Sequence, residues 1–453
     1  MIHGTLTALA RILSATLVGP YVDFAGVSTD SRTLKAGELF VALRGPNFDG
    51  HAFVPDAQAR GAAAALVERP PDAQLPWLRV ADGLAALGAM AAEWRSRFDI
   101  PVIAVTGSFG KTTVKEMLAA IAAGRGEVLA TRGNLNNEIG LPLTLFGLAP
   151  EHRAAVLELG ANHAGEIARL AAIARPSVGV VTAAGPVHLE GFGSLEGVAR
   201  AKGELYAGLP ADGVAVINED DPFAPLWHEL AAPRRCVGFG LAAGAAFRAE
   251  QISQSLDIGG PLLEFRLVTP DGSADVRLAL PGRHNAHNAL AAAAAAWAAG
   301  WSVDEIVAGL ARVTVVAGRM SLRKAKSGAL LIDDTYNASP VALQAAIEYA
   351  TALPGETWLV LGDMRELGAA SAELHAAAGR LARERGVARL YAYGPESAAA
   401  ATAFGEVRHY TRLEELAAAL EDELPADVNL LVKGSRSMRL ETLIARLAAG
   451  EGR

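Results

Sequence analysis

Apolar runs separated by turn residues divide the chain into three stretches of different pattern. In residues 1–82 the runs are short, as at 37–45 and 61–67, and glycines bound them. Short runs of this kind predict the strands and helices of a small α/β domain. We place its end near Asp82, where a helical pattern over residues 84–98 begins.

The second stretch, residues 83–317, contains longer runs that are apolar on both faces. They lie at 154–159, 178–182 and 213–218 and alternate with helical patterns. Strands buried on both faces belong to a parallel sheet covered by helices, so we predict a doubly wound domain. Between about residues 236 and 280 apolar and polar positions alternate, which predicts an added antiparallel sheet.

In the third stretch, residues 318–453, apolar runs end in aspartate or glycine. They are at 330–334, 358–363, 389–394 and 428–434. Strands of this type with helices between them predict a Rossmann-like domain that carries polar side chains at the carboxyl edge of its sheet. No Gly-x-Gly-x-x-Gly follows any of these runs, which argues against a dinucleotide cofactor.

Charge and composition narrow the possible partners. The chain has 453 residues and a formal charge of -8, which argues against nucleic acid or an anionic membrane as the main partner. A single cysteine, Cys236, fits a reducing cytosol, and the first residues lack the pattern of a signal peptide. The longest apolar run, residues 289–301, is shorter than the roughly 20 residues of a membrane span and predicts an alanine-rich helix. We therefore expect a cytoplasmic protein that acts on small molecules.

The run at residues 102–106 leads into a glycine-bounded turn and then a helical pattern. Backbone N–H groups of such a turn cradle phosphates, a lysine bridges the terminal phosphates, and a threonine hydroxyl ligates Mg²⁺. A plain turn before an amphipathic helix would not need a lysine and two hydroxyls directly behind the second glycine. We therefore predict a P-loop ATPase domain that binds ATP with magnesium through Gly107, Ser108, Phe109, Gly110, Lys111, Thr112 and Thr113.

Three further side chains are candidates for the same site. Glu158 ends a strand predicted to lie beside the phosphate-loop strand, where a carboxylate can hold Mg²⁺, and we favour that role over an exposed strand end. His188 lies in a glycine-rich loop at the same predicted sheet edge. Lys202 by itself fits an exposed helix lysine.

Asparagines crowd the loop at residues 133–142. Turn chemistry accounts for one or two of them. Asn134, Asn136 and Asn137 together with two glycines indicate amides that contact a polar ligand. Residues 28–32 by themselves fit a surface turn.

Many motifs in a fixed order give the chain a close resemblance to one known family. They lie at residues 28–32, 40–51, 106–113, 133–142, 158–162, 188–194, 201–204, 281–285, 333–340, 361–368 and 433–436. On these motifs the chain is identified as a member of the Mur ligase family. It most resembles the branch that joins D-alanyl-D-alanine to UDP-N-acetylmuramoyl-tripeptide (UDP-MurNAc-tripeptide), through an acyl phosphate made with ATP, in peptidoglycan precursor synthesis.

The resemblance implies a role for each part of the three-domain chain. The UDP end of the substrate would contact the first domain through Thr29, Asp30, Ser31, Arg32 and Arg44. Asn285 and Asn288 would contact adenine, Arg319 and Asp334 would reach the nucleotide from the hinge and the third domain, and the asparagine-rich loop would border the acceptor site. The resemblance also implies two Mg²⁺ ions held with the help of His188 and a carbamylated Lys202, and we expect a monomer.

Three positions depart from the expected family pattern, and two rival functions remain. Ala183, Ser339 and Leu440 each change only the flank of a motif. One rival is another Mur-type or folylpolyglutamate-type ligase, although the Asp-x-Asn-Pro-Arg signature of the diaminopimelate-adding enzyme is absent. The other is a P-loop GTPase switch, which would need an Asn-Lys-x-Asp motif that the sequence lacks.

Overall fold

The computed structural model confirms an α/β protein with three domains, each built on its own parallel or mostly parallel sheet. It describes residues 1–45, 48–187, 189–257, 260–280, 282–314, 318–406 and 408–450. Because residues 315–317 lie outside this part, the boundary at 317, like the one at 82, stays a prediction.

The first domain contains a five-stranded sheet and two short antiparallel strand pairs, one formed by residues 3–5 with 23–25 and the other by residues 44–45 with 48–49. The sheet has the order β2-β9-β8-β5-β4, and only its β2–β9 pair is antiparallel. Its elements are β1 (His3–Thr5), α1 (Leu6–Leu13), β2 (Thr16–Val18), β3 (Asp23–Ala25), β4 (Val27–Ser28), β5 (Leu39–Val41), β6 (Arg44–Gly45), β7 (Phe48–Asp49), a 3-10 helix (Gly50–Phe53), α2 (Val54–Ala59), β8 (Ala64–Val67) and β9 (Trp77–Arg79).

A six-stranded, wholly parallel sheet forms the central domain. Its order is β11-β12-β10-β13-β14-β15, so the phosphate-loop strand β10 lies in the interior. The elements are α3 (Gly83–Arg95), β10 (Val102–Thr106), α4 (Lys111–Ala122), a 3-10 helix (Ala123–Arg125), β11 (Glu127–Ala130), α5 (Gly140–Leu145), β12 (His152–Glu158), α6 (Glu166–Ala174), β13 (Val178–Val181), α7 (Leu189–Phe192), α8 (Leu195–Ala207), β14 (Val214–Asn218), α9 (Ala224–Ala231), β15 (Arg235–Phe239), α10 (His284–Ala298) and α11 (Val303–Leu310).

Successive residues of β10 face two different cores. Ile103 and Val105 pack with α4 and α10, while Val102 and Ala104 pack with α3, α5 and α6. This explains the apolar run, because a strand covered by helices on both faces has no solvent side. The alanine-rich run predicted as a helix is α10, and its side chains at 289–296, all alanine except Leu290, are buried against the sheet.

An antiparallel sheet of three strands accompanies the central sheet, as the alternating pattern predicted. It consists of β16 (Arg248–Asp257), β17 (Gly260–Thr269) and β18 (Gly272–Leu278). The start of the predicted range was wrong, because residues 235–239 form β15 and pair in parallel with β14. An edge strand with one face only partly covered produces the same alternation as a hairpin strand.

The third domain is a six-stranded sheet of order β19-β20-β24-β21-β22-β23, in which only β19 is antiparallel. Its elements are β19 (Ser321–Lys324), β20 (Leu330–Asp334), α12 (Pro340–Thr351), β21 (Glu356–Gly362), a 3-10 helix (Gly368–Ala370), α13 (Ser371–Glu384), β22 (Arg389–Tyr393), α14 (Ala398–Phe404), β23 (His409–Tyr410), α15 (Leu413–Glu423), β24 (Val428–Lys433), a 3-10 helix (Arg436–Met438) and α16 (Glu441–Leu447). None of the helices in the described ranges is long and apolar enough to cross a membrane.

Candidate active site

The predicted phosphate loop lies between β10 and α4, and two of its positions require glycine. Gly107 has φ 141° and Gly110 has φ 78°, both in the region that side chains disfavour. A Cβ atom at Gly107 would lie 2.0 Å from Oγ1 of Thr182, and one at Gly110 would lie 2.4 Å from Oδ1 of Asn288. The loop therefore packs too closely against neighbouring polar groups to carry side chains at either position.

The segment after β13 holds the loop in place. The backbone N–H of Ser108 donates to the carbonyl of Ala183 at 2.8 Å, and the Ser108 hydroxyl donates to the carbonyl of Gly185 at 3.2 Å. The Thr182 hydroxyl donates to the carbonyl of Phe109. Thr182 could not be identified from the sequence, since a threonine at a strand end has many ordinary uses. His188 follows this segment and lies outside the described residues.

The side chain of Lys111 folds back onto Gly107, the first glycine of the phosphate loop. Its Nζ donates a 2.7 Å hydrogen bond to the carbonyl of Gly107. Burial lowers the pKa of Lys111, Glu158 acts against this shift, and Arg319 lowers the pKa further. An ammonium in this position is held beside the loop N–H groups, where phosphate oxygens bind.

Thr112, Glu158 and Asn136 form a hydrogen-bonded group beside the loop. The Thr112 hydroxyl donates to one oxygen of the Glu158 carboxylate at 2.7 Å, and the Asn136 amide donates to the other at 2.8 Å. The prediction that the Glu158 strand adjoins the phosphate-loop strand is confirmed, since Glu158 is the register partner of Val105 in the parallel β10–β12 pair. Parallel strands end at one edge of the sheet, which is why these side chains meet.

The oxygen atoms of this group suit magnesium. Mg²⁺ in nucleotide sites is held by one or two protein oxygens together with phosphates and water, and a threonine hydroxyl with a carboxylate is a common pair. Among the residues that the structure describes, no group of three or more His, Cys, Asp or Glu side chains forms a metal cage of its own. Thr112 and Glu158 therefore fit a metal shared with ATP.

The three asparagines of the loop at 133–142 differ in environment. Asn136 contacts Glu158, whereas the Asn137 side chain accepts hydrogen bonds from the N–H groups of Ile139 and Gly140 at 3.1 and 2.8 Å. Those N–H groups open α5, so Asn137 has a structural use in this structure. Asn134 is exposed.

Asn285 and Asn288 lie on the first two turns of α10, next to the phosphate loop. Both are buried, and the Asn288 amide donates to the Asn285 side-chain oxygen at 3.0 Å. The close approach of Asn288 to Gly110 places this helix end directly against the loop. The structure thus brings both asparagines to the predicted ATP site.

Arg319 reaches this region from the third domain, whereas the ion pair of Asp334 lies within the third domain itself. The Nη2 of Arg319 donates to the Thr112 hydroxyl at 2.8 Å, and its guanidinium lies 4.2 Å from the ring centroid of Tyr336. The Nε of Arg319 is buried without a hydrogen-bond partner. Asp334 forms an ion pair with Lys433, its register partner on β24.

Lys202 is buried on α8 and is not the exposed helix lysine that its local sequence suggests. It is 1% exposed, its Nζ donates to the carbonyl of Ala161 at 3.3 Å, and it lies 5.1 Å from the ring centroid of Phe192. Burial lowers its pKa to about 7, and the positive charge of Lys111 adds to this effect. A large fraction of this amine is therefore neutral near pH 7.

The polar cluster of the first domain follows β4. Arg32 and Asp30 form an ion pair at 2.7 Å, and the hydrogen bond from Arg32 lowers the pKa of Asp30 to about 2. Ser31 is buried and Thr29 is half-buried, while Arg44 lies 3.4 Å from Glu68. Asp30 and Arg32 already neutralise each other here, so a phosphate ligand would have to compete with Asp30 for Arg32.

Family models and known proteins match the chain over nearly its whole length. The models match as follows: "Mur ligase family, catalytic domain" over residues 23–124, "Mur ligase middle domain" over 105–296, and "Mur ligase, glutamate ligase domain" over 318–436. A relative from Escherichia coli (strain K12), named UDP-N-acetylmuramoyl-tripeptide–D-alanyl-D-alanine ligase, is 44% identical over 455 residues, with 99% of each chain covered.

Two crystal structures are similar to the chain over all three domains. MurF from Acinetobacter baumannii has a TM-score of 0.91 at 37% identity, with 98% of both chains covered. MurF ligase from Thermotoga maritima, in complex with ADP, has a TM-score of 0.83 at 31% identity and covers 93% of this chain and 96% of its own.

Proposed function

We propose that this protein, which belongs to the Mur ligase family, is an ATP-dependent ligase that joins D-alanyl-D-alanine to UDP-MurNAc-tripeptide in peptidoglycan precursor synthesis. The match to relatives over the full length confirms the family that the sequence motifs predicted. The observation that carries the activity is the phosphate loop with its Thr112–Glu158 pair.

ATP and magnesium would bind at this pair. The loop N–H groups and Lys111 would bind the β- and γ-phosphates, and Thr112 and Glu158 would hold Mg²⁺, which neutralises charge that develops on the phosphate oxygens. The buried Asn285 and Asn288 supply amides for adenine. The relative from Thermotoga maritima was solved in complex with ADP, which supports a nucleotide as a ligand of this chain.

The remaining substrates would be bound by the first domain and by the asparagine-rich loop of the central domain. Thr29, Asp30, Ser31, Arg32 and Arg44 are proposed to contact the UDP end. Asn134 and Asn136 are proposed to border the acceptor site, and Arg319 and Asp334 are proposed to reach the nucleotide from the hinge and the third domain. For Asn137 the helix-capping hydrogen bonds favour a structural role, and a ligand contact would require that they break.

The chemistry follows from the poor reactivity of a carboxylate. The terminal carboxylate of the tripeptide attacks the γ-phosphorus of ATP, and ADP leaves. In the resulting acyl phosphate the acyl carbon carries phosphate, which is a good leaving group. The amine of D-alanyl-D-alanine then attacks the acyl carbon, loses a proton, and phosphate leaves as the amide forms. Lys111 offsets the charge on the transferred phosphoryl group, and domain closure holds the two substrates together. For His188 a part in the same site remains a prediction.

A carbamylated Lys202 is part of this proposal. The neutral amine adds to CO₂, a C–N bond forms and one proton is released, so a cation becomes an anion with two oxygen atoms. The lowered pKa and the burial of Lys202 favour that reaction, because only the unprotonated amine is nucleophilic. The product would be an oxygen ligand for a second Mg²⁺.

The biological setting completes the proposal. We propose a cytoplasmic monomer that binds only small molecules, with domains at residues 1–82, 83–317 and 318–453. Sedimentation of the purified chain tests the monomer.

Phosphate release from ATP tests the activity. Purified protein with ATP, Mg²⁺ and UDP-MurNAc-tripeptide should release phosphate at a high rate only after D-alanyl-D-alanine is added, and a product of the expected mass should appear. Lys111→Ala should abolish the signal while the far-ultraviolet circular dichroism spectrum stays unchanged. Parallel assays with diaminopimelate plus UDP-MurNAc-dipeptide, or with glutamate plus a folate, test whether the protein is one of the alternative ligases. Turnover in one of these assays and not in the first would refute the proposed acceptor.

A further inference from the structure

Lys115 is a buried cation that the site described above does not use. It lies one turn after Lys111 on α4 and is 2% exposed. Burying an ammonium costs several kcal/mol unless hydrogen bonds and charges compensate it. Its carboxylate partner Glu116 has a side chain that is 39% exposed. Because water screens that carboxylate, the ion pair compensates little of the cost of burying the ammonium.

The buried partner of Lys115 is a backbone carbonyl. Its Nζ donates a 2.9 Å hydrogen bond to the carbonyl of Thr131, the first residue after β11. Thr131 is itself 1% exposed, and its N–H donates to the carbonyl of Val156 on β12. Lys115 therefore fixes the point at which the chain leaves the sheet and enters the asparagine-rich loop.

This point connects directly to Glu158. The N–H of Glu158 donates to the hydroxyl of Thr131 at 3.0 Å, which fixes the backbone of the carboxylate. Five residues further along the same loop, Asn136 donates to the Glu158 side chain, and its carbonyl accepts from the N–H of Gly160 at 2.8 Å. Both groups that orient Glu158 from this side belong to the segment that Lys115 anchors.

We propose that Lys115 is a positioning residue for the magnesium site: its ammonium holds Thr131, and through Thr131 and Asn136 it sets the direction of the Glu158 carboxylate. The proposal rests on the proposed function in so far as Glu158 holds Mg²⁺ together with ATP. It predicts an effect on magnesium-dependent nucleotide binding in particular, because the ammonium of Lys115 is buried against the Thr131 carbonyl and acts on Glu158 only through that segment.

Binding of a non-hydrolysable ATP analogue with a methylene β,γ-bridge, measured by calorimetry with Mg²⁺ and with a chelator, tests this. In Lys115→Met the affinity with Mg²⁺ should fall roughly tenfold, while the affinity in chelator stays unchanged. Thr131→Val should do the same, because it removes the hydroxyl at constant volume, and Thr131→Ser should restore binding. The double variant Lys115→Met/Thr131→Val should lose no more than either single one, since both break one chain of contacts.

Matched controls separate this role from simpler ones. Glu116→Gln and Lys326→Met, at an exposed lysine, should bind like the wild type. Three results would overturn the proposal. Lys115→Met could lose the same affinity with and without Mg²⁺, or it could bind the analogue as tightly as the wild type. Glu116→Gln could also lose as much affinity as Lys115→Met. If Lys115→Met does not fold, Thr131→Val decides by the same criterion. If the wild type binds the analogue equally well with and without Mg²⁺, the proposed metal role of Glu158 is wrong as well. If the protein binds the analogue as expected but does not join the proposed substrates, only the proposed function is wrong and the role of Lys115 stands.

Discussion

Arg319 donates a 2.8 Å hydrogen bond to the hydroxyl of Thr112, and so the third domain contacts the phosphate loop directly. The Arg319 guanidinium is also packed on Tyr336 of its own domain. One side chain thus touches the residue proposed to hold Mg²⁺ and the domain proposed to close over the substrates. A residue in this position can report nucleotide binding to the third domain.

Arg319→Ala should impair both ATP use and domain closure. We expect kcat/KM for ATP to fall by roughly 10²-fold, since a charged donor beside the proposed phosphate site is lost. In small-angle scattering the wild type should show a smaller radius of gyration with ATP analogue and UDP-MurNAc-tripeptide, and the variant should show a smaller change. Arg11→Ala, on the surface of the first domain, is the control. Full contraction in Arg319→Ala would refute the coupling.

The phosphate loop and its neighbour Glu158 could be predicted from sequence because their geometry is local or set by sheet edges. A glycine-bounded turn between a strand and a helix has few possible shapes, and parallel strands place their ends together. The hydrogen bonds of Lys115 and Thr182 could not be predicted this way. They depend on which loop packs behind which helix, and neither residue type nor spacing specifies that.

Local pattern also fails where one residue type has two uses. Asn137 and Asn136 are adjacent in sequence, yet one caps a helix and the other contacts a carboxylate. The local sequence around Lys202 predicts an exposed helix lysine, and only the structure shows that its side chain packs against Phe192. Burial is a property of the whole fold, so only the family resemblance singled out Lys202.

The different environments of Asn137 and Asn134 predict different effects on stability. Asn137→Ala should lower the free energy of unfolding by about 1 kcal/mol, because two N–H groups at the start of α5 lose their acceptor. Asn134→Ala, at an exposed position of the same loop, should change it by less than about 0.5 kcal/mol. Urea unfolding measures both. Equal effects in the two variants would contradict the capping role.

The pKa of Lys202 predicts how stability depends on pH when CO₂ is excluded. Its pKa is lowered from 10.5 to about 7 in the folded protein, so between these values the unfolded chain binds the proton more tightly. Stability should therefore rise with pH from about 7 towards 10.5 and fall on acidification over the same range, by at most about 1.4 kcal/mol per pH unit. Urea unfolding in CO₂-free buffer should show this slope relative to Lys202→Met. Parallel pH profiles of the two proteins would be evidence against a neutral buried amine.

Carbamylation of Lys202 predicts a specific loss and a specific rescue. Lys202→Ala should lose ligase activity, because the oxygen ligands of the modified amine disappear, while it still binds ATP through the phosphate loop. A short carboxylic acid such as acetate or propionate should restore part of the activity by placing a carboxylate in the space left by the side chain. The matched control is Lys324→Ala, at an exposed lysine of β19, which should neither lose activity nor respond to the acid.

The wild type provides an independent measurement of the same modification. Because only the neutral amine adds CO₂, bicarbonate should raise the activity of CO₂-depleted enzyme, and more strongly at pH 8 than at pH 6, on the two sides of a pKa of about 7. Labelled bicarbonate should add one carboxyl group to Lys202, detectable as a carbonyl resonance that is absent in Lys202→Ala. An alanine variant with full activity, or a wild type that binds no label at pH 8, would show that Lys202 acts as an unmodified amine packed in the core beside the site.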